Sequence, residues 1–257
     1  MIDALRAEWT KLRTVATNAW LLIGTAALTV AVSAGIAATI HIGGGEHQDP
    51  TRLSLSGIDL GQAVIAVFAV LTISEEYGSG MIRLTLSAVP RRLVLLVAKG
   101  ANVAALALLV GLVAVAGCLV AGRLMLPGAG LNAAHGYALV SLSHEATLRA
   151  AVGSVLYLIL IAMLSLGVAT AVRDTAISIG VVLGLLYGFP ILAQVITDPT
   201  WHRHLEQIAP MIAGLSIQNT TNLDSLPIGP WAGLGVLAAW AAVALFIGGL
   251  VLWLRDA

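Results

Sequence analysis

Six long apolar stretches constrain the fold of this chain more than any other feature of its sequence. They cover residues of about 19–40, 58–74, 93–126, 150–172, 176–196 and 231–254. About 20 apolar residues are enough for a helix to cross the hydrocarbon core of a bilayer. Because the bilayer core holds no water, each stretch must satisfy its backbone hydrogen bonds internally. The sequence therefore predicts an all-α membrane protein with six transmembrane helices.

Composition supports the same class. Hydrophobic residues make up 59% of the 257 residues and charged residues 10%, whereas a soluble domain has roughly 25% charged residues. Six spans leave little chain for a separate soluble domain, so we expect one transmembrane domain over residues 1–257. The single cysteine, Cys118, excludes an intrachain disulfide. The net charge of zero gives no indication of a nucleic-acid partner.

The third stretch is longer than a bilayer is thick. A continuous helix from Arg92 to Arg123 would extend about 45 Å at roughly 1.5 Å per residue, against a hydrocarbon core of about 30 Å. We therefore place the span itself at about 97–122 and its first turns at the cytoplasmic interface. Lys99 lies in those first turns and is predicted to anchor the helix by reaching toward the interface.

Basic residues sort to one side of the predicted spans. Of the 13 lysine and arginine residues, nine lie in the segments on one side of the predicted membrane spans and four lie on the other side. The nine are Arg6, Lys11, Arg13, Arg83, Arg91, Arg92, Lys99, Arg173 and Arg255, and the four are Arg52, Arg123, Arg149 and Arg203. The positive-inside rule then predicts an inner-membrane protein with both termini in the cytoplasm.

Segments outside the spans also carry patterns. Residues 1–18 combine helical spacing with mixed charge, which predicts an interfacial helix. Residues 197–230 predict an external amphipathic helix bent at Pro210, and residues 41–57 and 127–146 predict polar external loops.

Asp59 is predicted at the outer interface, where the N-terminus of a helix favours a carboxylate. His202 and His204 are two residues apart and do not share a helix face, so no metal site is predicted.

The cytoplasmic segment 75–92, EEYGSGMIRLTLSAVPRR, is the most informative loop. Glu75 and Glu76 end a span, Gly78 and Gly80 permit a sharp turn, and residues 81–86 have the composition of a short helix. Arg91 and Arg92 follow Pro90 and precede the next span. Such a segment suits docking to a cytoplasmic partner, although the same residues are compatible with a plain loop.

No motif for chemistry is present. The sequence contains no G-x-x-x-x-G-K-[ST] phosphate loop, so it offers no recognisable ATP site. It also shows no catalytic constellation and no acidic pair inside a span. A permease that depends on a separate ATPase, an ion-gradient-driven secondary carrier and a membrane scaffold all remain compatible with these absences.

Three stretches resemble type-2 ATP-binding cassette (ABC) exporter permeases, particularly actinobacterial members. The first is residues 8–13, EWTKLR. The second is residues 76–83, EYGSGMIR, with Pro90, Arg91, Arg92 and Lys99 after it. The third is residues 167–176, GVATAVRDTA. Met81 stands where the family often has threonine, which weakens any role for a hydroxyl group there.

The resemblance implies how such a chain works. It implies a cytoplasmic coupling helix after span two, re-entrant external helices before span six, and no catalytic residue in the chain. Two permease chains, identical or homologous, would pair in the lipid membrane, and two ATP-binding subunits would supply ATP and Mg²⁺. The residues implied to contact the ATP-binding subunit are Glu75, Glu76, Tyr77, Gly78, Met81 and Arg83. Those expected to anchor the spans in the cytoplasm are Arg91, Arg92, Lys99 and Arg173.

Overall fold

The computed structural model describes residues 16–40, 48–78, 81, 92–132, 137 and 139–254. Residues 1–15 of the predicted interfacial helix lie outside this part of the chain. So do residues 79–80 and 82–91 of the predicted coupling segment. Both segments therefore stay predictions. The described residues form helices and no strand, which confirms the all-α prediction.

The described part of the chain contains nine α-helices and three short 3-10 helices. The α-helices are α1 Ala16–Thr39, α2 Pro50–Leu55, α3 Ile58–Gly78, α4 Arg92–Met125, α5 Glu145–Val172, α6 Thr175–Val195, α7 Pro199–Ile208, α8 Pro210–Leu215 and α9 Pro230–Leu254. The 3-10 helices are Leu126–Ala129, Ser216–Gln218 and Leu223–Ser225. Pro210 separates α7 from α8 because the residue before a proline, here Ala209, favours extended backbone.

Six helical stretches of the described chain are long and apolar enough to cross a membrane, which confirms the predicted number of spans. They are Ala19–Thr39, Pro50–Gly78, Leu93–Ala129, Glu145–Val172, Thr175–Val195 and Pro230–Leu254. Helix α4 is continuous over 34 residues, about 51 Å at roughly 1.5 Å per residue. It therefore extends beyond a hydrocarbon core of about 30 Å.

Helix α2 differs from the sequence prediction, which treated residues 41–57 as a polar loop. Asp49 Oδ1 accepts hydrogen bonds from the backbone N–H groups of Thr51 and Arg52, both at 3.1 Å, and so caps the helix. Pro50 occupies the first helical turn, where a missing N–H costs nothing. The side chain of Leu55 is fully buried, and this burial holds the short helix against the bundle.

Helix α5 is the centre of the bundle and packs against α3, α4, α6 and α9. Its closest neighbour is α9, and two glycines permit the approach. A Cβ placed on Gly167 would lie 2.5 Å from the backbone carbon of Ala244, and one placed on Gly248 would lie 2.6 Å from the backbone oxygen of Gly167. The two backbones therefore meet where neither helix carries a side chain.

Gly167→Ala is expected to destabilise the protein by about 1–3 kcal/mol, because the added methyl group would overlap rigid backbone atoms of α9. A glycine-to-alanine change in a helix otherwise gains about 1 kcal/mol. Gly235→Ala on α9 is the matched control, since a Cβ there meets no described atom within 4 Å. Thermal unfolding in lipid nanodiscs measures both variants. Equal unfolding temperatures for the two would contradict the close contact.

The side chains are distributed as lipid requires. Large apolar residues such as Trp20, Val113 and Phe246 are exposed on the outside of the bundle. Hydroxyl groups are buried, and several bond to their own helix: Ser165 Oγ donates to the carbonyl of Ile161 and Thr170 Oγ1 to that of Leu166, both at 2.7 Å. These two hydroxyl groups are thus satisfied within their own helix, away from the apolar surface.

Candidate coupling site

A buried ion pair joins α3 to α4 near the last turn of α3. Lys99 Nζ lies 2.8 Å from Glu76 Oε1, and the side chains are 3% and 9% exposed. Lys99 Nζ also donates to the carbonyl oxygen of Thr72 at 3.1 Å. Charges removed from water need such partners, because an unpaired buried charge costs several kcal/mol. The pair therefore fixes the end of α3, hereafter the Glu76 end of the bundle, to α4.

A second contact at the Glu76 end involves the turn between α5 and α6. Arg173 has φ 64°, and its backbone N–H bonds to the carbonyl of Ala169, which ends α5. The Arg173 guanidinium lies 5.2 Å from the centre of the Tyr77 ring, a cation–π geometry. It also donates from Nη2 to the carbonyl oxygen of Val251 at 3.1 Å. Arg173 thus connects α3 to α9.

Together these contacts bind the last turn of α3 to three other spans. Glu76 reaches α4, and the adjacent Tyr77 reaches Arg173 and through it α9. Packed elements of this kind move as units, because cores are nearly incompressible. A displacement of the last turn of α3 would therefore act on α4, α5 and α9.

The residues predicted to contact an ATP-binding subunit differ in how exposed they are in the structure. Glu75 and Met81 are exposed, whereas Glu76 is buried and directed at Lys99. Gly78 is the last residue of α3. Arg83 lies outside the described residues. Contact of these residues with an ATP-binding subunit stays a prediction.

The residues predicted to anchor the spans in the cytoplasm also differ in their burial. Lys99 was expected to reach toward the membrane interface, but the structure buries it against Glu76 because a carboxylate on α3 is within reach. Arg173 is half-buried and bonded to Val251. Arg92 is the first residue of α4, and Arg91 lies outside the described residues.

The opposite end of the bundle, hereafter the Asp49 end, carries a network that the sequence did not indicate. The Asp49 carboxylate accepts hydrogen bonds from Thr220 Oγ1 at 2.7 Å, from the Thr220 N–H and from the Thr221 N–H at 3.2 Å, in addition to capping α2. The Asp49-Pro50 pair could have signalled a helix cap. No local pattern could have signalled a partner 171 residues away.

Asn219 extends this network to two arginines. Arg52 Nη1 donates to Asn219 Oδ1 at 2.8 Å, and Arg149 Nη2 donates to the Asn219 carbonyl oxygen at 2.6 Å. Asn219 follows the 3-10 helix Ser216–Gln218, while Arg149 lies in α5. The segment before α9 is therefore held to both α2 and α5.

Buried polar side chains also join the spans between the two ends. Tyr157 on α5 donates its hydroxyl hydrogen bond to Gln62 Oε1 on α3, and both side chains are fully buried. The Tyr187 hydroxyl on α6 donates to the carbonyl oxygen of Asp59 at 2.6 Å. Hydrogen bonds between spans position helices where apolar packing alone gives little directional preference.

The comparisons with known proteins agree with this architecture. The family model described as "ABC-2 family transporter protein" matches residues 4–191, a range that includes the Glu76–Lys99 pair and Arg173. A search among curated proteins returned no match. A match over most of the chain is sufficient to assign the family, and the chain therefore belongs to the ABC-2 family of transporter proteins.

Proposed function

We propose that this membrane permease subunit of an ABC transporter belongs to an exporter in the inner membrane. A separate ATP-binding subunit, present in two copies, would bind ATP and Mg²⁺ and drive outward movement of an amphipathic, drug-like, lipid-like or peptide substrate. The family supports the permease role and association with an ATP-binding subunit. The absence of a phosphate loop from the sequence supports a separate ATPase.

The observation that carries the proposal is the set of contacts at the Glu76 end. The last turn of α3 is the start of the predicted coupling segment, residues 75–92, and it is bound to α4, α5 and α9. Closure of the ATP-binding subunits would displace that segment. The buried Glu76–Lys99 pair and the Tyr77–Arg173 contact would then pass the displacement to the spans and change the population of two conformations.

Helix α6 supports the pairing of this chain with a second permease chain. Gly180, Gly184 and Gly188 recur every fourth residue, and a Cβ placed on any of them meets no described atom within 4 Å. Such spacing on a membrane helix lets a neighbouring helix approach closely. An identical or homologous permease chain is the occupant that we propose for this face.

Affinity purification from native membranes tests the proposal. A tagged chain is expected to co-purify with a protein that has a phosphate loop, together with a differently tagged second permease copy, and the complex is expected to hydrolyse ATP. Glu76→Gln and Arg83→Ala are expected to reduce the recovered ATP-binding subunit, because both alter the predicted coupling segment.

Two control variants test the loss of a charge elsewhere, and thermal unfolding of each variant separates lost coupling from the instability expected when one partner of the buried Glu76–Lys99 pair is removed. Glu145→Gln and Arg203→Ala remove the same charges from exposed positions outside the Glu76 end, and both should leave recovery and ATPase activity unchanged. Purification without any ATP-binding protein, combined with substrate transport that follows an ion gradient, would instead support a secondary carrier. A complex that neither hydrolyses ATP nor transports would support a scaffold.

A further inference from the structure

Two prolines bound the segment that joins α6 to α8. Pro190 lies inside α6, and Pro210 is the first residue of α8. A proline supplies no N–H to the helical hydrogen bonds and restricts the residue before it, so a helix bends most easily at such positions. Residues 191–208 between the two prolines, hereafter the flap, consist of the end of α6, a short connection and α7.

Both ends of the flap lie against one side chain, Trp240 of α9. The rings of Trp240 and Phe189, the residue before Pro190, meet edge to face with their centres 6.4 Å apart. The Trp240 Nε1–H group donates a hydrogen bond to the carbonyl oxygen of Ile208 at 2.9 Å. The two points at which the chain bends most easily are therefore brought together at Trp240, which suits rotation of the segment between them.

Within the flap, the end of α6 and α7 are bonded to each other. His202 Nδ1 lies 3.0 Å from the carbonyl oxygen of Ala193, within hydrogen-bond distance. Asp198, in the connection between the two helices, caps α7 by accepting hydrogen bonds from the N–H groups of Thr200 and Trp201. The flap therefore has internal bonds that would keep it together as it moves.

The flap is more exposed than the first part of α6. Of its residues, all of which the structure describes, only Ala193 is buried, while Ile191 and Val195 are 62% and 74% exposed. The buried residues of the first part of α6 are Ser178, Val182 and Leu186. Gln207 Nε2 donates to the carbonyl oxygen of Pro227 at 2.8 Å, a bond that opening of the flap would break. Segments with few buried apolar contacts open locally more readily than the core does.

A cavity of about 250 Å³ lies beside the flap. Pro190 at the first hinge and Glu206 of α7 line one side of it, and Met211 and Leu215 of α8 line another. Close-packed interiors resist displacement of their side chains. A cavity between α7 and α8 therefore supplies the space that a rotation of the flap requires.

We propose that the flap rotates about Trp240 as a lid over this cavity, with Pro190 and Pro210 as its hinges. The Tyr187 hydroxyl, three residues before the first hinge, donates to the carbonyl oxygen of Asp59 on α3 at 2.6 Å. The other end of α3 belongs to the candidate coupling site, so movement of α3 would reach the base of the flap. The use of this lid during export rests on the proposed function.

Amide hydrogen exchange of the purified chain in lipid nanodiscs tests the lid without an ATP-binding partner. Residues 191–208 are expected to share one level of protection, below that of residues 176–189. Trp240→Phe keeps an aromatic ring but removes the N–H donor, and it should speed exchange about three- to tenfold in both the end of α6 and α7. Trp231→Phe, at an exposed position of the same helix, should change neither.

Pro190→Ala tests the hinge itself. Alanine restores an N–H donor for the carbonyl oxygen of Leu186, so exchange over residues 191–208 should slow by about threefold or more. Transport per ATP hydrolysed by the complex should fall although thermal stability does not. Pro199→Ala is the matched control, because a missing N–H in the first turn of α7 costs nothing, and it should leave exchange and transport unchanged.

Three results would each overturn the proposal: different levels of protection for the end of α6 and α7, an effect of Trp240→Phe spread over the whole bundle, or unchanged exchange in Pro190→Ala. The unsubstituted chain and Pro190→Ala keep the test decisive if Trp240→Phe does not fold. Any of these results together with an active ATPase complex would leave the exporter function intact. A flap that behaves as expected in a chain recovered without any ATP-binding protein would instead support the lid and count against the exporter.

Discussion

Lys99→Met is expected to destabilise the protein by about 3–5 kcal/mol, because it leaves the buried Glu76 carboxylate without its cation. Methionine keeps the length and much of the volume of the lysine side chain, so the lost charge rather than a cavity causes the effect. Thermal unfolding in nanodiscs measures the stability. ATP hydrolysis by the purified complex, per permease, measures the coupling.

The double variant Glu76→Gln/Lys99→Met separates the two roles of the pair. Removing both charges eliminates the unpaired ion, so most of the stability should return. If the pair also transmits movement from the coupling segment, transport per ATP hydrolysed should stay low in this stable variant. Full recovery of both stability and transport would show that the pair is structural only. Lys99→Met with unchanged stability would contradict the buried ion pair itself.

Asp49→Ala is expected to cost about 2–4 kcal/mol, because it removes the cap of α2 together with three hydrogen bonds to Thr220 and Thr221. The bonds to Thr220 and Thr221 hold the segment that precedes α9. Faster amide hydrogen exchange over residues 216–226 should therefore accompany the loss of stability.

Asp198→Ala is the matched control for Asp49→Ala. Asp198 also precedes a proline and caps its helix, α7, by accepting from the N–H groups of Thr200 at 2.8 Å and Trp201 at 3.2 Å. Within the part of the chain that the structure describes, Asp198 bonds to no distant segment, so only the cap is lost and a cost of about 1 kcal/mol is expected. Equal costs for the two variants would show that the long-range bonds of Asp49 contribute nothing.

The sequence was sufficient for the class of fold and for the number of spans, because apolarity over about 20 residues is a local property. It also predicted a bend at Pro210, where the structure instead ends one helix and begins another, since a proline restricts the residue before it. It was not sufficient for α2. The polar composition of residues 41–57 predicts a loop, even though the Asp49-Pro50 pair is typical of the start of a helix. The burial of Leu55 that stabilises α2 depends on the rest of the bundle.

At the candidate coupling site the sequence indicated the residues but not their arrangement. Glu76, Tyr77, Lys99 and Arg173 were all selected from the chain, and the fold brings them to one end of the bundle. Their spacing gave no sign that Lys99 turns inward to Glu76 rather than outward to the interface. That outcome depends on how closely α3 and α4 pack, which a one-dimensional pattern does not contain.

The sequence by itself therefore determined that this protein is a six-span helical membrane protein and which family it resembles. Only the tertiary structure decided which polar groups meet: Glu76 with Lys99, Asp49 with Thr220, and Gln62 with Tyr157. The physical reason is range. Whether a segment is apolar and long enough to span the membrane depends on that segment alone. Which charges and hydrogen-bond donors pair depends on helix packing, which brings together residues that are tens or hundreds of positions apart.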